Sequence, residues 1–160
     1  MPARNSIAAA PRTLTLTLER VFDASVDLVW RCWTEQDHLA KWSAPRGYTI
    51  AQGEGDVRPG GKWRCCMMAP DGTALWLGGV YREIVPHKLI VMTHVWDDEN
   101  GRPGVETVVT VRFEDQGKRT KLTLEQTGFD SDESRDGHRE GWSECLDILG
   151  EHLAAIRSAQ

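Results

Sequence analysis

The sequence predicts an α+β domain in which a curved antiparallel sheet of about seven strands wraps round a long C-terminal helix, with short helices after the first strand. Three observations predict it. Residues 13–22 alternate, with Leu14, Leu16 and Leu18 on one face and Thr13, Thr15 and Thr17 on the other, the pattern of a half-buried strand. From Tyr48 to Gln126 strand-like runs are separated by turn residues, so neighbouring strands join as hairpins. Near the end, Trp142, Leu146, Leu149, Leu153 and Ile156 form one stripe at helical spacing, opposite Glu140, Glu144, Asp147 and Glu151.

Each element follows in order. Residues 1–11, small, polar and closed by Pro11, read as a disordered leader, and 12–160 as a single domain. Ser25 is placed to cap a helix from Val26 to about Thr34, whose stripe is Val26, Val29, Trp30 and Trp33. A second short helix, Asp37 to Trp42, is stopped by Pro45 and Gly47. Turns at Gly53–Gly55, Pro59–Gly61, Pro70–Gly72, Pro86–His87, Asn100–Gly101 and Gln116–Gly117 delimit strands at 48–56, 61–69, 73–84, 88–96, 105–114 and 119–126. The acidic run Asp130 to Asp136 reads as a loop before a final helix of about 20 residues. A strongly twisted sheet round one helix leaves a hollow, because the helix cannot fill the whole concave face.

Composition narrows the function. Nineteen basic residues against 24 acidic ones give a net charge of −5 with no basic block. Neither nucleic acid nor an anionic membrane finds the concentrated positive face it needs. No apolar run approaches the ~20 residues of a membrane helix, and MPARNSIAAAPRT has no apolar signal-peptide core; the expected compartment is the cytoplasm. Cys32, Cys65, Cys66 and Cys145 form no C-x-x-C pair, and nearby histidines fall at no zinc-finger spacing. They read as reduced thiols packed as small hydrophobes, and neither a metal nor a cofactor is expected. The runs Asp97–Glu99 and Asp130–Asp136 lack the spacing of a calcium loop and read as solvated charge. No nucleophile elbow, P-loop, dinucleotide fingerprint or H-E-x-x-H is present, and the glycine pairs at 60–61 and 78–79 precede strands rather than helices.

Several runs taken in order resemble the START-like, helix-grip superfamily: VFDASVDLVWRCWTEQDHLAKW, DVRPGGKWRC, PDGT, GGVYREIVPHKLIVMT, VTVRFEDQGKRTKLTLEQTGF and HREGWSECLDILGEHL. Within it they are most similar to the family named after the activator of the heat-shock protein 90 ATPase. The resemblance covers roughly residues 13–157. It implies a helix-grip fold with an interior cavity closed by the C-terminal helix, in a superfamily whose members bind lipids, hormones and aromatic polyketides or act as cyclases.

Strand parity then nominates the cavity wall. If the hairpin closes symmetrically about Asn100–Gly101, Trp96 opposes Val105, His94 opposes Thr107, Met92 opposes Val109 and Ile90 opposes Val111. The apolar face of the second strand, Val105, Thr107, Val109, Val111 and Phe113, turns the first strand's even positions inward; a one-residue slip would bury Leu89, Val91, Thr93 and Val95 instead. Trp63, Cys65 and Met67 share a face. Ligand-binding candidates are thus Trp63, Met67, Trp76, Met92, His94, Trp96 and Trp142. His94 is the polar group to orient a ligand, or the base in a cyclase- or hydrolase-type reaction. Trp30, Trp33 and Trp42 read as packing for the short helices, Arg82 as facing inward with Val80 and Ile84, and His38, His87, His138 and His152 as exposed. The expected partner is a small hydrophobic or aromatic molecule. A chaperone contact like that of the family's namesake is the alternative, and a homodimer through sheet edges is left open.

Overall fold

The computed structural model describes residues 14–159; the leader read at 1–11 lies outside them. The elements are β1 (Leu14–Phe22), α1 (Val26–Thr34), α2 (Gln36–Trp42), β2 (Thr49–Gly55), β3 (Lys62–Met68), β4 (Ala74–Val85), β5 (Leu89–Asp97), β6 (Pro103–Asp115), β7 (Thr120–Phe129) and α3 (Asp132–Ser158). The strands form one sheet in the order β1-β7-β6-β5-β4-β3-β2, every neighbouring pair antiparallel. The α+β architecture is the one the sequence predicts. No helix among the described residues is long and apolar enough to cross a membrane.

Local chemistry sets the boundaries. Ser25 caps α1 by accepting from the Leu28 amide at 3.3 Å, and α1 ends at an extended Glu35, which starts α2 at once. The long helix begins at Asp132, inside the acidic run that reads as a loop, and is 27 residues long rather than about 20. Ser131 accepts from the Ser134 amide at 3.0 Å, and Asp132 and Glu133 lie in the first turn, where negative charge meets the positive end of the helix dipole. The acidic run read as a loop is therefore mostly the opening of α3.

The β5–β6 register follows the predicted symmetry over Ile90↔Val111, Met92↔Val109 and His94↔Thr107. It departs at the end, where Asp97 rather than Trp96 pairs across, with Pro103. The Asp98 carboxylate accepts from the amides of Asn100 and Arg102 at 2.8 and 2.9 Å, which tightens the loop and takes up the extra residue. A second irregularity, between Tyr81 and Glu83 of β4, corrects the reading of Arg82. The bulge turns Tyr81 and Ile84 inward and leaves Arg82 exposed, 3.4 Å from Glu106. Gly79 permits the close approach of strands beside this bulge, since a Cβ there would collide with the Thr93 carbonyl.

The core sits on one side of the concave face. Leu16, Val109, Val111, Leu122, Leu124, Leu146 and Leu149 are wholly buried, and α3 packs chiefly on β1, β7 and the two short helices. The helix thus covers the β1–β7 half of the sheet and leaves the concave face of β3, β4 and β5 without a helix against it. That offset creates the cavity.

Candidate functional site

A cavity of about 660 Å³ lies between the β3–β5 half of the sheet, α1, α2 and the first turns of α3. The helix helps to make the space. Ser134, Gly137, Gly141 and Cys145 recur three or four residues apart on α3 and form a stripe of small residues along the cavity, beside the bulky His138 and Trp142 of the same helix. Across from it, β3 contributes Trp63, Cys65 and Met67, and β4 contributes Leu75, Leu77 and Tyr81.

Of the seven nominated residues, Trp63, Met67, Met92, His94, Trp96 and Trp142 line this cavity. Trp76 does not, and that reading is corrected. Trp76 pairs with Cys66 on β3, and parity puts it on the other face, where the Arg64 guanidinium lies 5.2 Å from its ring centroid. Arg64 is held there by Asp97, with nitrogen–oxygen distances of 2.5 and 3.1 Å.

His94 stands at the centre of an aromatic cluster, its ring centroid 5.7 Å from Trp63, 5.8 Å from Trp96, 6.0 Å from His138 and 6.3 Å from Trp142. Burial, with a smaller contribution from the neighbouring His138, pushes its pKa down to about 3, so the ring is neutral at physiological pH. Its Nδ1 is buried without a hydrogen-bond partner, as is Nε1 of Trp33, another residue of the wall. Burial also raises the Cys65 thiol to about 11 and the Cys145 thiol to about 12, so neither is an activated nucleophile near neutral pH. The interior wall is mostly aromatic and apolar; of the charged residues that line it, Glu54 and Glu133 are exposed, and the half-buried Arg64 has its guanidinium paired with Asp97.

Sequence reasoning missed four contributors. Trp33 was assigned to packing; it does stack on Trp142 (centroids 5.9 Å apart) and meet Trp42 edge-on at 4.6 Å, yet both Trp33 and Trp42 also line the cavity. His138 is not exposed: its Nδ1–H donates to the Ser134 carbonyl at 2.7 Å, and its Nε2 accepts from Trp96 Nε1 at 2.9 Å. Gln126 is fully buried; it accepts from Trp142 Nε1 at 2.7 Å and donates to Thr107 Oγ1 at 2.8 Å. Thr107 in turn donates to the His94 carbonyl at 2.9 Å. The chain Trp142–Gln126–Thr107–His94 fixes α3 to the strands that carry the wall. A signal existed for Gln126, since it continues the Leu122, Leu124 alternation, and for His138, one helical turn before Trp142.

Gln126→Leu should therefore be costly despite its similar volume. It strands the Trp142 N–H and removes a donor from Thr107, and we expect a loss of about 2–4 kcal/mol in urea unfolding. A change under about 0.5 kcal/mol would mean that the network does not hold the helix.

The profile of the family described as "Activator of Hsp90 ATPase homolog 1-like protein" matches residues 23–154. The chain belongs to this family. Solved structures agree over nearly its whole length. An AHSA1 protein from Silicibacter pomeroyi is similar at a TM-score of 0.82 and 26% identity, covering 89% of this chain and 99% of that one. A protein from Chromobacterium violaceum gives 0.78 and 26%, with 88% and 97% covered, and one from Nitrosomonas europaea 0.77 and 27%, with 91% and 97% covered. No curated protein matches the chain. Family membership accounts for the sheet and its long helix; the chemistry must come from the wall itself.

Proposed function

We propose that this family member binds a small, uncharged aromatic molecule carrying a polar oxygen, seated between β3–β5 and α3. The observation that carries this reading is an aromatic cavity of about 660 Å³ whose wall includes two buried, unpaired nitrogens, Trp33 Nε1 and His94 Nδ1. The volume falls within the roughly 300–1,000 Å³ of small-molecule pockets. An unpaired buried polar group costs about 1–3 kcal/mol, which a ligand oxygen near Trp33 would offset. Neutral His94 and protonated thiols disfavour a charged ligand, because the one cation among the lining residues, Arg64, is already paired with Asp97 and leaves little to compensate its desolvation. Large apolar side chains left exposed among the described residues are Val21, Val85 and Val105, scattered in sequence rather than forming a run, which supports a cavity over a protein-docking face.

Titration with 2-naphthol, read by quenching of tryptophan fluorescence, tests the reading. Saturable quenching at one molecule per chain is expected. Trp33→Phe should weaken 2-naphthol by about threefold to tenfold, the worth of one hydrogen bond, and naphthalene much less. Quenching that never saturates, or an equal loss for both probes, would count against the proposed orientation. Native mass spectrometry of freshly purified protein, before and after unfolding, would identify a natural ligand by class.

A further inference from the structure

We propose that Cys32, His38 and His152 form a site for a zinc-type divalent ion, on the side of α2 facing α1 and the C-terminal half of α3. Local spacing in the sequence gives no sign of a metal, because these ligands come from three helices. Cys32 lies in α1 and is wholly buried, His38 lies in α2, and His152 lies in α3. The abrupt α1–α2 junction at Glu35 folds the first two together, and packing of α3 on α2 brings in the third. The Nδ1 of His38 and Nε2 of His152 are 2.9 Å apart, and one donor atom from each of the three residues lies within 4.8 Å of the others.

One thiol and two imidazoles are a donor set that suits zinc and cobalt. With metal–nitrogen and metal–sulfur distances of about 2.0 and 2.3 Å, a tetrahedral ion would hold its nitrogens roughly 3.3 Å apart and its sulfur roughly 3.6 Å from each. The histidine pair therefore needs to open by only a few tenths of an ångström; the ring that now donates shifts its hydrogen to its other nitrogen, so both imidazoles stay neutral and each offers a lone pair to the ion. A second feature points the same way. The other nitrogen of His38, Nε2, lies 3.7 Å from Glu35 Oε1, too long for a hydrogen bond, and a closure of about half an ångström would make it the carboxylate–histidine contact that orients a metal ligand. Of the neighbouring charges, Glu35 favours a cation, while Arg31, ion-paired to Glu35 at 3.1 Å, and Lys41 oppose it. Binding must displace the Cys32 thiol proton to solvent, so affinity rises with pH. Three protein ligands leave the fourth position for water, and the bound ion would cross-link α3 to both short helices.

Cobalt(II) alone, added to the full reduced chain near neutral pH, tests the site. One ion per chain should produce thiolate-to-cobalt charge-transfer absorption in the near ultraviolet, which zinc then bleaches. Cys32→Ala should abolish the band, while Cys66→Ala should leave it intact. His152→Gln alters a partly exposed side chain and should keep the parent's circular dichroism, yet lose affinity for both ions on the order of 100-fold. Zinc should raise the melting temperature of the parent but not of His152→Gln. The proposal is overturned if no band forms, if the band survives Cys32→Ala or disappears in Cys66→Ala, or if zinc stabilises parent and His152→Gln alike.

Discussion

Gly137→Trp is expected to weaken 2-naphthol binding by about tenfold or more without unfolding the protein. Gly137 lies on the cavity-facing side of α3, and a Cβ added there would meet nothing within 4 Å. An indole at this exposed position beside the opening has room to lay its apolar face over the aromatic wall, occupying the space or narrowing its mouth. Gly141→Leu should act in the same direction, because its Cβ would reach ordinary contact with Pro45 Cγ at 3.7 Å and the rest of the side chain would narrow the gap between α3 and the segment after α2. Gly137→Ala separates occlusion from helix stability. Glycine inside a helix costs about 0.5–1 kcal/mol relative to alanine, so this variant should gain that amount and bind as the parent does. Retained one-to-one binding in Gly137→Trp would show that the probe sits elsewhere. The two glycines are costly to α3 as a helix, and the cavity gives them a reason.

Much of this was legible because alternation and helical stripes are dictated by burial. The bounds of α1 match the expected Val26 and Thr34, since a serine cap, an apolar stripe and an extended Glu35 all agree. The β5–β6 register was readable because Val109, Val111 and Phe113 can face only the core. What escaped has a common physical cause: one residue inserted into a period of two. The bulge beside Arg82 and the early turn at Asp97 each shift parity locally, and no side-chain pattern marks them in advance. Trp76 escaped differently. Its parity put it opposite Leu75 and Leu77, but it was chosen for being aromatic, and the ion-paired Arg64 gives it an outward role. The start of α3 was hidden by the acidic run Asp130–Asp136, which carries no apolar stripe and so reads as a solvated loop although most of it is the first turns of the helix. The histidine pair at His38 and His152 was beyond sequence reasoning altogether, because its partners are 114 residues apart.

His94 should make the protein measurably acid-sensitive at a pH where carboxylates are still ionised. Its folded pKa is about 3 against the ordinary 6.5 of a free imidazole, so below pH ~6.5 the unfolded chain takes up a proton that the folded chain refuses. The stability tied to this group is fully present above the unfolded value and drains away as pH falls toward the folded one. Between pH 6.5 and pH 5 the loss comes to about 2 kcal/mol. His94→Gln removes this titration, so its urea-unfolding free energy should fall by about 2 kcal/mol less than the parent's across that interval, even if the variant is less stable at pH 7. His152, whose pKa burial also lowers, remains in both proteins and cancels in the difference. Asp97 and Glu151, held low by Arg64 and Arg46 respectively, also remain in both; their stabilisation is present above the unfolded carboxylate range and is lost at pH values below this window. Parallel parent and variant curves would mean that His94 protonates inside the folded protein, and with that the uncharged wall on which a neutral ligand depends would fail. A parent curve that bends more steeply than the variant's would tie the acid limit of this fold chiefly to one desolvated ring, and 2-naphthol binding should then be independent of pH wherever the chain stays folded and the naphthol hydroxyl keeps its proton.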